Sequence, residues 1–452
     1  MTLDRRNVLS AGLAAGLAAG VATAGTRPAA ARTRAPAAAA PDLVPGSPVD
    51  QGPVLQAALD AATARGAPLE LPAGRYRIGA LELRPGARII GAAGATTLEF
   101  AGGAAFITAD HADGILLEGL VLDGAYQALD DGRAEGLVSL RNCRGARLHR
   151  LTVTRSPSNG IALNACAGSV TDCTINSVIQ AAIRSVDGAG LEIAHNEIAD
   201  CGNNGIQIWR SEAGEDGSTV TANRIVRVRA DGGGTGENGN GANVFRAGGV
   251  LVSANRITDC AYSAVRGNAS SDIQIIANSC ARLGEVAIYA EFGFEGALIA
   301  NNLVDTAATG ITVTNFNEGG RLAVVQGNLV RNLFRREHEL VDKRGHGITV
   351  EADTVLSGNV IEGAPTAGIV IGWGQYMREV VATSNLVRAS RVGILVSADK
   401  GAGACMLANN MVSGATDGAI RAMDPQGNPT GPELTHGGSN DKLLSIAGNL
   451  SV

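Results

Sequence analysis

The most regular feature of the sequence is an asparagine that recurs between apolar positions about every 26 residues. Each copy has an apolar residue, two small or polar residues, the asparagine, one further residue and a second apolar residue, as in residues 220–225 and 252–257. A period of this length indicates a solenoid, because one coil cannot bury its apolar face alone and neighbouring coils share one core. The recurring positions are Leu120, Leu151, Cys173, Asn196, Asn223, Asn255, Asn278, Asn301, Asn328, Asn359, Asn385 and Asn409.

A second pattern follows about nine residues after most of these positions, where a glycine opens a run of alternating apolar residues. Gly205, Gly310 and Gly347 are examples. The alternation predicts a β-strand with one face in the core and one face outward. We expect the asparagine to adopt the left-handed conformation in a tight turn and to stack its amide on neighbouring coils. Together the patterns predict an all-β, right-handed parallel β-helix of about thirteen coils.

Three longer segments interrupt the repeat, at residues 123–135, 229–240 and 333–346. Each ends just before a glycine-led strand, so we expect three long loops along one edge of the β-helix. Insertions on one edge of a solenoid often border its binding face.

Residues 54–64 place apolar side chains on one face and predict a short helix. Such a helix would cap the first coil, whose strands otherwise expose unpaired edges. We divide the chain into a targeting segment and linker at residues 1–40, a linker and capping helix at 41–70, and the β-helix at 71–452.

The N-terminal segment has the composition of an export signal. Arg5 and Arg6 precede a weakly apolar run of small residues that extends to Ala24. The arginine pair resembles a twin-arginine signal, which implies the twin-arginine export machinery as a partner and a periplasmic or secreted location. No other run is long and apolar enough to span a bilayer, so we expect no membrane association after signal cleavage.

Charge and side-chain chemistry disfavour some classes of function. The chain has 37 lysines and arginines against 43 aspartates and glutamates, without a dominant basic cluster, which argues against a nucleic-acid partner. Its 6 histidines are scattered and its 7 cysteines lack metal-ligand spacing. We therefore expect buried thiols, no metal site and no cofactor, and a metal-delivery protein is the least favoured alternative.

The segment after the predicted helix carries a family resemblance. Residues 69–78 have the sequence Leu-Glu-Leu-Pro-Ala-Gly-Arg-Tyr-Arg-Ile, which resembles the first coil of many pectate-lyase-like β-helix proteins. With the arginine pair and the asparagine repeat, the chain is similar to a family of twin-arginine-translocated right-handed parallel β-helix repeat proteins. The resemblance implies the fold and a ligand surface along the outer face of the glycine-led strands, but no particular activity.

The outward positions of the glycine-led strands form the candidate site, because in the middle coils they are polar, charged or aromatic. Aromatic rings stack on sugar rings, while amides and charged groups hydrogen-bond sugar hydroxyls. This mixture predicts that the protein binds or processes a polysaccharide. The predicted substrate-binding residues are Arg184, Trp209, Asn243, Phe245, Asn268, Tyr289 and Asn317.

Acidic residues on the same face indicate glycoside hydrolysis as the favoured chemistry, if the protein is an enzyme. Glu291 and Glu351 lie two coils apart, about 10 Å by strand spacing, near the separation of about 6.5–9.5 Å in inverting glycosidases. Glu318 could form a closer pair with either, one glutamate acting as general acid and one as general base. Arg266 or His346 would polarise the sugar. A calcium-dependent lyase is disfavoured because no aspartate cluster accompanies the arginines.

Alternatives to catalysis remain open. Exposed glutamates can simply keep a solenoid soluble, and Arg266 beside Glu291 on the next coil can be a cross-strand ion pair. The chain would then be a non-catalytic periplasmic or surface scaffold, or a protein-binding solenoid, because solenoids present long surfaces without any chemistry.

Overall fold

The structure, a computed structural model, describes residues 37–40, 42–130, 132–234, 236–336, 344–436 and 443–452. Residues 1–36, which carry most of the predicted targeting segment, lie outside the described part, as do residues 337–343 of the third predicted loop.

Each coil consists of three short strands, one in each of three long sheets. In chain order a coil passes through sheet I, sheet II and sheet III, and the next coil starts beside it in sheet I. The sheets have 16, 15 and 15 strands, slightly more than the thirteen coils predicted. Neighbouring strands are parallel, except that the last strand of sheet III, Pro429–Glu433, is antiparallel to Ile420–Met423. The predicted parallel β-helix is confirmed.

The strands of sheet I are Ala38–Ala39, Leu69–Leu71, Arg88–Gly91, Leu116–Glu118, Arg144–His149, Ala167–Thr171, Glu192–Ala194, Thr219–Thr221, Leu251–Ser253, Ile273–Ile276, Glu295–Ala300, Arg321–Gln326, Ala352–Ser357, Arg378–Thr383, Cys405–Ala408 and Leu444–Ala447. The strands of sheet II are Gly74–Ile78, Thr96–Phe100, Leu120–Asp123, Thr152–Ser156, Thr174–Val178, Glu197–Cys201, Arg224–Val228, Arg256–Cys260, Ser279–Leu283, Leu303–Asp305, Leu329–Arg331, Val360–Glu362, Leu386–Arg388, Met411–Ser413 and Leu450–Ser451. The strands of sheet III are Leu81–Glu82, Ile107–Asp110, Gly136–Arg141, Asn159–Asn164, Ala181–Val186, Asn204–Glu215, Asn240–Gly248, Val265–Asn268, Val286–Glu291, Thr309–Val313, His346–Val350, Ala367–Ile371, Val392–Ser397, Ile420–Met423 and Pro429–Glu433.

The core consists of inward side chains that stack in register from coil to coil. In sheet III, for example, Ile161, Ile183 and Ile206 lie beside one another on neighbouring strands and are fully buried. Burial of apolar surface, at roughly 25 cal/mol per Å², drives this stacking. A coil therefore depends on both of its neighbours for stability.

A helix at Gly52–Ala64 covers the first coils, as predicted. Its buried residues Leu55, Leu59 and Ala62 recur on one face and join the common core. Among the described residues, no helix is long and apolar enough to cross a bilayer.

The β-structure begins earlier than the predicted boundary at residue 71. Ala38–Ala39 pairs with Leu69–Leu71 in sheet I, and Leu43 packs into the core. Part of the segment that we assigned to a linker therefore belongs to the fold.

The recurring asparagines form a buried ladder at the turn between sheets I and II. The Oδ1 of Asn278 accepts hydrogen bonds of 3.0 Å from both the backbone N–H and the side-chain amide of Asn255. The Nδ2 of Asn278 donates to the backbone carbonyl of Val252 at 2.9 Å and to Oδ1 of Asn302 at 3.0 Å. A continuous series of side-chain hydrogen bonds of the same kind joins the ladder asparagines. They are Asn196, Asn223, Asn255, Asn278, Asn302, Asn328, Asn359, Asn385, Asn410 and Asn449.

Two of the predicted ladder positions are wrong by one residue. Asn302 and Asn410 belong to the ladder, whereas Asn301 and Asn409 precede it, with φ of 57° and 55°. The left-handed conformation belongs to the residue before each ladder asparagine, because it turns the chain so that the next side chain points inward. The expectation that the ladder asparagine itself is left-handed is therefore also wrong.

All seven cysteines are buried and unpaired, which confirms the prediction of core thiols. Burial raises the pKa of Cys173 and Cys280 to about 12. These thiols stay protonated and pack as small apolar groups.

The first two long loops, within residues 124–135 and 229–239, connect sheet II to sheet III. The third joins Leu329–Arg331 of sheet II to His346–Val350 of sheet III, and of this connection the structure describes residues 332–336 and 344–345. Since this connection occurs at the same edge of sheet III in every coil, the prediction that the loops share one edge is confirmed. The first two loops border the candidate site.

Candidate functional site

The outward side chains of sheet III form two rows that run along the β-helix in register. The first row contains Arg184, Gln207, Asn243, Arg266 and Tyr289, and the second contains Val186, Trp209, Phe245, Asn268 and Glu291. Eight of the predicted site residues therefore lie side by side, as strand alternation indicated.

A cleft of about 360 Å³ opens on this surface, and we call it the aromatic cleft. Its volume lies within the range of roughly 300–1,000 Å³ that is usual for ligand pockets. Five of its lining residues were predicted from the sequence, and three were not. The lining residues are Trp209, Asn243, Phe245, Arg266 and Asn268, together with Gly236, Glu237 and Phe292.

Trp209 is half-buried, and its ring is held in position by its neighbours. Its Nε1–H donates a 3.0 Å hydrogen bond to Oδ1 of Asn243 on the next strand. The Phe245 ring meets it edge to face at a centroid distance of 6.0 Å. The Arg184 guanidinium lies 5.9 Å from the Trp209 ring centroid. The cleft thus offers an oriented aromatic surface beside amide and guanidinium groups, which is the chemistry that a sugar ring matches.

Beneath the aromatic cleft lies a buried ion-pair cluster centred on Arg266. Its Nε and Nη2 donate to the two carboxylate oxygens of Glu291, at 2.6 and 2.9 Å, and Nη1 donates to Glu285 at 3.1 Å. Asn268 donates a further 2.9 Å hydrogen bond to Glu291, and the guanidinium stacks on Tyr289 at 4.8 Å. Burial lowers the pKa of Arg266, but the two carboxylates outweigh it and leave that pKa raised.

This cluster is the cross-strand ion pair that remained open as an alternative to catalysis. Arg266 is 5% exposed and Glu291 is 2% exposed. The Glu291 carboxylate would have to break two charge-assisted hydrogen bonds before it could exchange a proton with a substrate. Sequence reasoning missed Glu285, although it directly precedes a predicted strand.

The second long loop forms one wall of the aromatic cleft, and asparagine side chains hold it. Oδ1 of Asn203 accepts the Gly232 N–H at 2.7 Å. The Glu237 carbonyl accepts hydrogen bonds from the Nδ2 atoms of Asn204 and Asn243, at 3.1 and 3.2 Å. These asparagines therefore fix the backbone of Glu237 at the edge of the cleft.

Gly236 is the point of closest approach between this loop and the sheet. Its φ is +123°, and a Cβ at this position would overlap the guanidinium of Arg266. Only glycine allows the loop to close over the buried ion pair.

Two further clefts continue along sheet III toward the N-terminus. The polar cleft has a volume of about 340 Å³ and shares Trp209 and Glu237 with the aromatic cleft. Arg184 lies in the polar cleft and pairs with Glu135 of the first long loop. The N-terminal cleft, of about 620 Å³, shares Glu135 with the polar cleft and extends to Gln56 of the capping helix.

Because they share lining residues, the three clefts form one groove. Eight consecutive strands of sheet III, from Leu81–Glu82 to Val265–Asn268, contribute to it. Seven strand steps at about 4.8 Å give a length of about 34 Å. This length accommodates an oligomer, and a single small molecule would fill only part of it.

The other predicted catalytic carboxylates do not join Glu291. Glu351 accepts a 2.7 Å hydrogen bond from the backbone N–H of Phe316, so it anchors the short 3₁₀ turn Phe316–Glu318. Glu318 is exposed on that turn and accepts a 3.2 Å hydrogen bond from Asn317. Neither Glu318, Glu351 nor Asn317 is among the described residues that line the groove.

His346 begins a strand of sheet III and is 3% exposed. Burial, aided by the charge of Arg335, lowers its pKa to about 4. Among the described residues its Nδ1 has no hydrogen-bond partner. A neutral, buried imidazole at this place is not positioned to polarise a sugar in the groove.

Sequence reasoning missed the residues that the loops bring to the groove. Glu135, Gly236 and Glu237 belong to two of the predicted long loops. The sequence did not indicate which residues of these loops face the groove. Phe292 directly follows a strand of sheet III, so the alternation of inward and outward strand positions does not predict where its side chain lies. Within the described residues, no three histidines, cysteines or acids are placed to hold a metal ion.

Comparison with protein families supports the handedness of the fold. The family model for the right handed beta helix region matches residues 159–332. The matched segment contains the strands of the aromatic cleft and the middle of the asparagine ladder. No curated protein matches the sequence. The fold is thus a right-handed parallel β-helix.

Solved structures with similar folds come from several kinds of protein. The N-terminal fragment of bacteriophage phi29 gene product 12 has a TM-score of 0.53 at 13% identity, over 92% of this chain and 70% of that chain. PfbA, a surface adhesin of Streptococcus pneumoniae, has a TM-score of 0.52 at 13% identity, over 85% and 93%. A PL6 alginate lyase in complex with a trisaccharide has a TM-score of 0.51 at 15% identity, over 83% and 85%. At these identities the likeness shows the fold alone. The chain spans 55% of the pre-mature gene product 12.

Proposed function

We propose that the protein binds a polysaccharide along the groove of sheet III. The observation that carries the proposal is the position of Trp209, which lines both the polar and the aromatic cleft. An oriented aromatic ring in the middle of a long groove provides a stacking surface for one sugar of a chain. The amides and charged groups on either side would bind hydroxyls of the neighbouring sugars.

The length and lining of the groove support a polymer as the ligand. All eight strands that form it present polar or aromatic side chains outward, and two loops wall it. The β-helix structures similar to this chain include an alginate lyase bound to a trisaccharide and a surface adhesin. Both an enzyme and a binding protein are therefore compatible with the fold.

The surroundings of Glu291 favour binding over cleavage. Its two oxygens are occupied by Arg266 and Asn268 beneath the floor of the cleft. Glu351 holds a backbone N–H instead of facing a second acid across the groove. General acid–base catalysis requires carboxylates within hydrogen-bond reach of the sugar. The carboxylates of Glu291 and Glu351 instead accept hydrogen bonds from groups of the protein itself.

A panel of neutral and charged polysaccharides tests the proposal. Retention of the purified chain in glycan-containing native gels measures binding, and mass spectrometry of the glycans after incubation detects cleavage. We expect retention by at least one polysaccharide, loss of retention in Trp209→Ala, and no products. Products formed by the native chain but not by Glu291→Gln would establish an enzyme. Absence of both retention and products would contradict the proposal and favour a protein-binding solenoid.

We also propose export through the twin-arginine pathway, because Arg5 and Arg6 precede a weakly apolar run. Residues 1–40 fused to a reporter that folds before export should carry it out of the bacterial cytoplasm. Replacement of both arginines by lysine should retain the reporter inside. Export that survives this replacement would contradict the proposal.

A further inference from the structure

A second surface of the β-helix, on sheet II, carries a pattern that the proposed groove does not use. In four consecutive coils the first outward position of the strand is aliphatic and the second is charged. The aliphatic row is Leu303, Leu329, Val360 and Leu386, and the charged row is Asp305, Arg331, Glu362 and Arg388. We call these eight residues the striped face.

The striped face begins abruptly in the C-terminal half of the chain. In the preceding coils the aliphatic row is replaced by Arg224, Arg256 and Ser279, in the same register. Beyond the striped face the aliphatic row continues with Met411 and Leu450, which are 40% and 52% exposed. Within the striped face Val360 is 36% exposed and Leu303, Leu329 and Leu386 are half-buried. A contiguous apolar row at a protein surface is typical of an interaction site.

The order of the charges identifies the partner. Along the solenoid axis they alternate as negative, positive, negative, positive. Reversing this order places Asp305 opposite Arg388 and Arg331 opposite Glu362. The face is therefore complementary to an inverted copy of itself, whereas a parallel copy would set like charge against like charge.

We infer that the striped face binds the striped face of a second copy of this chain, with the two solenoids antiparallel. The two-fold axis lies along the strand direction, between the coils of Arg331 and Glu362. Leu303 then packs near Leu386 of the second copy, and Leu329 near its Val360. Within each chain, ion pairs of 2.7 Å between Arg331 and Asp305 and of 2.9 Å between Arg388 and Glu362 hold the charged groups in place.

This arrangement leaves sheet III open in both copies. Because the groove lies on sheet III up to Val265–Asn268 and the striped face lies on sheet II from Leu303 onward, dimerisation would present two independent grooves. A polymer long enough to reach both would then bind by avidity. The inference about the dimer does not depend on the ligand of the groove.

Sedimentation velocity of the purified chain tests the inference directly. We expect a dimer at about 10 µM and a monomer, or a dissociation constant at least tenfold higher, for Leu329→Glu. Val355 on sheet I is a matched control, because it is an aliphatic strand residue with 41% exposure on another face. Val355→Glu should leave the dimer intact. A native chain that remains monomeric at about 100 µM, or equal loss in both variants, would overturn the inference.

Charge reversal tests the antiparallel arrangement. Glu362→Arg places like charges opposite each other at the two-fold axis and should weaken the dimer at least tenfold. Adding Arg331→Glu in the same chain restores opposite charges across the axis and should recover most of the affinity. Circular dichroism and thermal unfolding would establish that both variants are folded. A folded double variant that stays as weak as the single variant would overturn the arrangement.

Discussion

The guanidinium of Arg266 and the carboxylate of Glu291, on neighbouring coils of sheet III, are joined by two hydrogen bonds of 2.6 and 2.9 Å. Both side chains are almost completely buried, and Glu285 supplies a second carboxylate to the same guanidinium. The pair lies directly beneath the aromatic cleft. Its first role is therefore to hold the floor of the groove and the loop that closes over it at Gly236.

Removing the cation from this cluster should destabilise the protein strongly. Arg266→Leu leaves two buried carboxylates without their guanidinium, and loss of one partner of a buried ion pair costs about 3–5 kcal/mol. The free energy of unfolding, measured by urea denaturation, should fall by this amount. Arg282→Leu provides the control, because it breaks the exposed Arg282–Asp259 pair and should have a much smaller effect, since solvent screens exposed ion pairs. Equal effects would show that the buried cluster has no special structural role.

Trp209 should contribute more to glycan binding than any aromatic residue outside the groove. Trp209→Ala removes the stacking surface shared by two clefts and should weaken binding of a retained glycan at least tenfold, about 1.4 kcal/mol or more. Isothermal titration calorimetry measures the change. The other tryptophan, Trp373, contacts Tyr376 outside the groove, so Trp373→Ala should bind normally. Similar losses in the two variants would argue against the groove as the binding site.

Protonation of His346 should destabilise the fold in mild acid. The pKa is about 6.5 in an unfolded chain and about 4 in the folded protein, because the imidazole is buried. Between these values the unfolded chain binds the proton and the folded chain does not, so stability falls as the pH is lowered from about 6.5 to about 4. The loss attributable to this group is about 3 kcal/mol when complete.

His346→Asn tests this pH dependence, since asparagine occurs at the strand starts Asn204 and Asn240. The variant should lose less stability than the native chain over the same pH interval, measured by urea denaturation at several pH values. His195→Asn, at an exposed position in the left-handed conformation that asparagine also adopts, is the matched control. An unchanged slope in His346→Asn would refute the assignment.

Neighbouring asparagines in the turn between sheets I and II should respond differently to substitution. Asn302→Gly removes a buried amide that accepts from Asn278 and donates to Asn328, and should cost at least about 1–3 kcal/mol. Asn301→Gly should be tolerated within about 1 kcal/mol, because glycine suits the left-handed conformation. Gly327 and Gly358 already occupy the equivalent place in the following coils. Thermal unfolding measures both, and a reversed order would contradict the ladder described above.

The architecture was predictable because it depends on a local pattern repeated many times. An apolar residue at every second strand position and an asparagine in each coil are visible in the sequence, and stacking simply repeats them. The outward row of sheet III follows from the same alternation, the edge of the long loops follows from where insertions interrupt the repeat, and the capping helix follows from its one apolar face. Register errors arose only where two asparagines are adjacent, as at Asn301 and Asn302, since the pattern contains no information on which one turns inward.

Whether the predicted site residues are exposed or are buried and paired depended on the tertiary structure. Alternation indicates that Arg266, Glu291 and Glu351 point outward from the sheet, but outward side chains are exposed only where no loop covers them. The loop at residues 229–239 passes over Arg266 at Gly236, while the charge of Arg266 is paired with Glu291 and Glu285. The turn at Phe316–Glu318 donates a backbone N–H to Glu351. Such long-range contacts have no period in the sequence.

The sequence by itself thus determined the solenoid, its faces and the strands that carry the candidate groove. Only the tertiary structure decided which charged groups are paired beneath the floor and which aromatic and polar groups line the groove above it. The physical reason is that core stacking is set by each coil and its immediate neighbours. The burial of an outward charged side chain, in contrast, depends on the path of a loop from a distant part of the sequence.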